Sequence, residues 1–334
     1  MRFSPIFPRL FSLALVVGAL PPPRLAAADP KWVHASSAHF EIYGTQSETE
    51  IRAALQYLET VRAFFVNATH SQDPGGQPVR VVAFQSESDF TKYRPSEYGT
   101  VTAYSLAGPP ATIVSAGLKP ENYEKIFREY CQLVLDQSAP KIPYWLRAGL
   151  AQFYSTLTPA EGKIKLGAAP ARAFHSHDGL DVDLIQLFGS DRRAFLESRS
   201  HSSAEFYADT GNYAALGKKG AAATQAMNAL ETQAAVDLEL PSWALTHMIM
   251  FSSLYRTKAG EFIGLLSNGQ DTIATFGSVW GRSIVEVRSD LNQYMRQSGL
   301  AVVTAPFKYD KIPAPTMKPS AKVDVEALLA PSAK

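Results

Sequence analysis

The chain has 334 residues, 46% hydrophobic and 19% charged, enough for one large or two modest domains with a substantial core. Its formal net charge is +1 and no long run of Lys and Arg occurs, which argues against a nucleic-acid surface. The only cysteine, Cys131, allows no intrachain disulfide, so the fold must rest on its core.

The N-terminus carries Arg2 and Arg9, an apolar run at 10–20, the breaker Pro21-Pro22-Pro23 and the small residues Ala26-Ala27-Ala28. This is the layout of a secretory signal spanning 1–28, and it implies a secreted or periplasmic protein. Eleven apolar residues are short for a membrane span, so an uncleaved N-terminal anchor is the alternative. No other run is long and apolar enough to span.

At 39–43, His39, Glu41 and Tyr43 alternate with Phe40 and Ile42, the pattern of a half-buried strand. Ser47 and Glu50 form a capping box, and Ile51, Leu55, Leu58, Val61 and Phe65 share one face of the helix that follows. Strands are expected at 79–84, 101–105 and 112–115, with a short helix at 86–93. Helical spacing returns at Tyr123, Ile126, Phe127, Tyr130 and Val134, and from Tyr130 to Leu135 the helix is apolar almost all round and should be buried. Pro143 suits the start of a second helix over 144–156.

The second half reads as mainly helical: an apolar helix at 241–256, short pieces at 261–266 and 272–280, and a helix from the Ser283/Glu286 capping box to about 297. The Pro/Lys/Ala-rich tail, 301–334, reads as extended or disordered. The expected divisions of the mature chain are therefore 29–168, 169–300 and the tail.

The stretch "FREYCQLVL" at 127–135 carries the chemistry. A zinc-peptidase helix reads H-E-x-x-H, with two ligands one turn apart and a catalytic glutamate between them. Here the five positions are Arg128-Glu129-Tyr130-Cys131-Gln132. The framing continues with Ile142-Pro143-Tyr144-Trp145-Leu146 and then Ala148-Gly149-Leu150-Ala151-Gln152-Phe153-Tyr154. Together these residues resemble the core of the peptidase-MA-like domain, a gluzincin-type metallopeptidase family common among exported bacterial proteins. The opening strand, the "SWALTHMIMF" helix and the "GQDTIATFGSVWG" segment are similar to the same family, so the resemblance covers roughly 32–297.

The resemblance implies an α+β, gluzincin-like fold. An N-terminal mixed sheet would pack on two motif helices, and a mainly helical C-terminal half would follow. It also implies zinc, held by residues at 128, 132 and 148, with Glu129 as general base. The departures fall on those ligand positions: Arg128, Gln132 and Ala148 replace two histidines and a glutamate, and Gln152 replaces an acid. A guanidinium repels a divalent metal, a neutral amide binds zinc poorly and alanine not at all, so zinc is expected to be lost, and no cofactor is expected. Glu129 would then be a vestigial general base, with Arg128 in the former metal cavity paired to Glu129, Glu124 or another carboxylate.

The expected function is a pseudopeptidase that binds a peptide or protein in the old cleft. An active zinc peptidase with an atypical ligand set, drawing His175, His177 or His247 toward Glu129, is the rival, and a structural envelope component is a third reading. His175 and His177, with Asp178, Asp181 and Asp183 nearby, have ligand chemistry but read as an exposed polar loop. His247 reads as a satisfied core histidine, His39 as structural, and Cys131 as a small buried hydrophobe. Neither a G-x-S-x-G elbow nor a phosphate loop occurs.

Overall fold

A computed structural model describes residues 31–98, 101–169, 182–198, 238–297, 299–308, 313–320 and 323–330. The signal-like segment, His175 and His177 lie outside them. Five strands come first: β1 (Trp32–Ser36), β2 (Phe40–Gly44), β3 (Val79–Ala83), β4 (Ala103–Leu106) and β5 (Thr112–Ser115). Strands β2, β3 and β5 run parallel, while β1 and β4 pair antiparallel with β2 and β5. The sheet is therefore mixed and the fold is mixed α/β.

The 22-residue helix α1 (Glu48–Thr69) connects β2 to β3. Its start is fixed locally, because the Ser47 hydroxyl accepts from the Glu50 amide and the Glu50 carboxylate accepts from the Ser47 amide. Its expected apolar face is buried, with Ile51, Leu58, Val61 and Phe65 fully inside. Helix α2 (Glu87–Tyr93) follows β3, and the motif helices are α3 (Pro120–Ser138) and α4 (Tyr144–Ser155). Pro120 stands in the first turn of α3, where a missing N–H costs nothing.

The two faces of the sheet are covered differently. Phe40, Ile42, Val79, Val81 and Ile113 point into one core shared with α1, α3 and α4. Trp32, Val82, Tyr104 and Val114 point the other way, into a smaller cluster with Phe90 of α2 and Tyr98. The period-2 alternation of the strands divides these sets.

Strands β6 (Thr158–Ala160) and β7 (Lys163–Leu166) form a hairpin after α4, and the short α5 (Leu184–Gly189) precedes a helical stretch at 192–198. Helix α6 (Glu239–Phe251) is buried almost all round. It starts two residues earlier than the expected 241 and stops five short of 256. Ser252 turns to an extended conformation, and its amide closes on the Met248 carbonyl. Helices α7 (Ala259–Ser267), α8 (Thr272–Trp280) and α9 (Ile284–Met295) complete this layer, the last opened by the Ser283/Glu286 capping box. Among the described residues no helix is long and apolar enough to cross a membrane.

Helix α6 lies hard against α4. A Cβ on Gly149 would fall 2.2 Å from Thr246 Oγ1 and 2.5 Å from the Ser242 carbonyl oxygen, so only glycine permits this approach. The second half of the chain thus shares one core with the first, running from Phe40 to Leu291.

Three pieces of the tail carry regular structure. Strand β8 (Val303–Pro306) pairs with β7, β9 (Thr316–Ser320) pairs antiparallel with β1, and α10 (Val325–Leu329) follows. Val325 is buried in the smaller cluster, and Leu328 and Leu329 pack against it. The six-stranded order is β4-β5-β3-β2-β1-β9, leaving β4 at one end and the tail strand at the other.

Candidate functional site

The site is built where α3 meets the edge strand β4 and the first turn of α6. Helical spacing puts Arg128 and Gln132 one turn apart on α3. Arg128 turns inward, its side chain 16% exposed. One terminal nitrogen lies 3.4 Å from Glu129 Oε1 and the other 3.4 Å from Glu239 Oε2. Both carboxylates are buried, with side-chain exposures of 2% and 7%. The second Glu129 oxygen accepts from the Ser105 hydroxyl at 2.9 Å, so β4 contributes to the same carboxylate.

Buried charges persist when paired and hydrogen-bonded. Of the expected Arg128 partners, Glu129 is met, and Glu239 is a further carboxylate bonded to it. Sequence spacing gave no sign of it, since 111 residues separate it from Arg128. The available signal was chemical, an acid beside an otherwise apolar helix. Ser105 was likewise unmarked.

The other two positions singled out by the resemblance, Gln132 and Ala148, are also inside. Gln132 is 7% exposed and Ala148 4% exposed. Gln132 Nε2 and Arg128 Nε are buried with no acceptor among the described residues. Three helices therefore converge here: α3 brings Arg128 and Glu129, α4 is fixed at Gly149 beside Ala148, and α6 brings Glu239 one turn before Ser242.

The framing tyrosine has a different task. Tyr130 is fully buried, and its hydroxyl donates to Asp73 Oδ1 at 2.6 Å. Arg62 of α1 also donates to both oxygens of Asp73. Burial alone would push the Asp73 carboxyl up, but the bonds from Arg62 and Tyr130 outweigh it and hold it below its usual range. Burial, then the Asp73 charge, pushes the Tyr130 phenol well up. This network locks the 71–76 loop to the motif helix. A groove of about 610 Å³ between α1 and the β6–β7 hairpin is lined on α3 by Tyr123 and Glu124, one turn before Arg128.

His247 does not approach Glu129. Its Nδ1 lies 2.7 Å from the Tyr294 hydroxyl, and its Nε2 lies 3.0 and 3.1 Å from the Gly167 and Ala301 carbonyl oxygens. Both ring nitrogens are committed to the core, and burial lowers the imidazole pKa against the opposing pull of the two carbonyls. His39 is likewise held, with Nδ1 2.7 Å from Glu59 on α1. Cys131 is fully buried, and burial pushes its thiol well up, the condition of an inert cysteine. Among the described residues no group of three or more His, Cys, Asp and Glu is placed to hold a metal.

No protein-family model matches the chain, and no curated protein matches it.

Proposed function

We propose that the chain is a peptidase-MA-like, gluzincin-type protein that has lost zinc and hydrolysis and keeps a peptide- or protein-binding role in the old cleft. The observation that carries this reading is the inward turn of Arg128 between Glu129 and Glu239. In the family to which the sequence is similar, position 128 supplies a metal ligand. Here it supplies a guanidinium, which holds a positive charge of its own beside the carboxylates.

The residues present do not fit zinc. A catalytic site needs three protein donors and one open position. Arg128 and Ala148 donate nothing, Gln132 offers a neutral amide, and Glu129 already accepts from Ser105 and Arg128. Glu129 thus serves as an ion-pair and hydrogen-bond acceptor, and no hydrolytic step is assigned to it. The signal-like N-terminus supports export to the periplasm or beyond.

Metal analysis of the purified chain tests the reading, with an unfolded casein as substrate. The wild-type chain is expected to hold far less than one zinc per molecule and to leave casein intact. A triple reversion, Arg128→His with Gln132→His and Ala148→Glu, is expected to take up stoichiometric zinc. Stoichiometric zinc in the wild-type chain, removable by chelator together with cleavage of casein, would overturn the proposal.

A further inference from the structure

The β4 edge is already occupied by a side chain. In an antiparallel pair, alternate residues turn their backbone groups toward the partner and away from it. The Ala116 amide donates to the Thr102 carbonyl at 2.9 Å, and Ala103 and Ser105 stand opposite Ser115 and Ile113. The alternation therefore turns the N–H and C=O groups of Ala103 and Ser105 away from β5, toward the outer edge. The Tyr98 hydroxyl donates to the Ser105 carbonyl at 3.2 Å, and Arg192 donates to the Tyr98 oxygen at 3.2 Å. The Tyr98 ring is 7% exposed and lies 4.8 Å, centroid to centroid, from Tyr104.

Arg192 belongs to the helical stretch at 192–198, which reaches both sides of this edge. Phe195 meets Tyr144 of α4 at 4.9 Å, while Leu196 packs with the cluster that holds Tyr98 and Tyr104. At its end the Ser198 hydroxyl accepts from the Leu238 amide at 2.9 Å, next to Glu239. The stretch is thus tied to the edge by Arg192 and to the Arg128 site through 238–239.

We infer that the Tyr98 hydroxyl, steadied by Arg192, is an internal cap on β4. It takes the place at the Ser105 carbonyl that the backbone N–H of an added peptide strand would take. This inference rests on the peptide-binding reading above and specifies its regulation: an extended segment binds by displacing Tyr98 and loosening the 192–198 stretch. The Ser105 side chain points to Glu129, so the strand that displaced Tyr98 would lie against the residue bonded to the vestigial carboxylate.

The test uses the full chain and fluorescein-labelled, reduced and carboxymethylated α-lactalbumin as an unfolded probe, with binding read by anisotropy. Tyr98→Phe removes only the hydroxyl, and Arg192→Gln loosens its support. Both are expected to bind the probe about five- to tenfold more tightly than wild type, the effect of one hydrogen bond no longer in competition. Amide exchange is expected to slow at Ala103 and Ser105 when the probe binds. Equal binding by all three proteins would overturn the cap and leave the peptide-binding reading standing. Tighter binding without protection of β4 would also overturn the cap. Binding by none of them would overturn both.

Discussion

At the scale of single residues, Arg128 pairs with two buried carboxylates. Removing one partner of a buried ion pair leaves an uncompensated charge, whereas removing the charges together is far milder. Arg128→Met leaves Glu129 and Glu239 without the guanidinium and is expected to cost about 3–5 kcal/mol. Adding Glu239→Gln should recover part of that loss, with a coupling of about 1–3 kcal/mol in a double-mutant cycle followed by urea unfolding. A cost below about 0.5 kcal/mol for Arg128→Met, the range of an ordinary surface change, would mean that the pairing carries no such weight. Tyr130 teaches a different lesson. It was legible as part of a motif, but its partner Asp73 was not, because a loop residue 57 positions away leaves no periodic trace.

At the scale of elements, α6 is held from three directions by His247, which reaches Tyr294 of α9 and the carbonyls of Gly167 and Ala301 beside β7 and β8. Among the described residues, the groups at the ring are the side chains of Trp243, Phe153, Phe251 and Tyr294 and the two backbone carbonyls, and no carboxylate is bonded to it to stabilise an imidazolium. Burial lowers the His247 pKa in the fold, so the unfolded chain binds the proton more readily. The histidine's contribution is therefore complete above its unfolded pKa of about 6.5 and is lost as the pH falls below it. Thermal midpoints between pH 7.5 and 5 should fall more steeply for wild type than for His247→Gln, which keeps a donor for the carbonyls. Parallel curves would show that the folded and unfolded chains bind the proton equally well at His247, with no burial effect on its stability.

Much at this scale was legible in the sequence. The capping boxes at Ser47 and Ser283 are local chemistry, so the starts of α1 and α9 were readable from three or four letters. The all-round apolar letters of α3 and α6 announced burial. They did not announce the approach at Gly149, which depends on how two helices separated by the whole 169–238 region meet. The site was half legible for the same reason: Arg128, Gln132 and Ala148 stood out against their framing, while Glu239 and Ser105 arrive through tertiary packing.

At the scale of the molecule, the sheet is finished by the tail. Strand β9 pairs with β1 along its full length, from Trp32 opposite Ser320 to Ser36 opposite Thr316. Lys318 and the proline at 319 suit an outermost strand, since a charge and a missing N–H both discourage further pairing. Composition alone read this region as extended or disordered, because its prolines and scattered Lys and Ala show no strand period and its partner β1 lies far away in the sequence. Truncation after residue 308 should uncover β1 and the Trp32–Val82 side of the sheet. We expect a loss of about 2–4 kcal/mol, of the order of one or two buried side chains, together with concentration-dependent association in light scattering. A truncated chain that stays monomeric with an unchanged unfolding midpoint would show that the tail strand is dispensable.

The pairing of β1 with β9 also sets an order in time. The first strand is made early and must wait for a partner made about 280 residues later (Ser36 opposite Thr316), while β2, β3 and β5 are all made by residue 115. Until then β1 presents an open row of backbone donors and acceptors, the kind of edge that recruits other chains. A chain cut short or stalled before residue 316 would therefore carry a nearly complete sheet with one unguarded side. That unguarded side is what a holding chaperone would have to recognise.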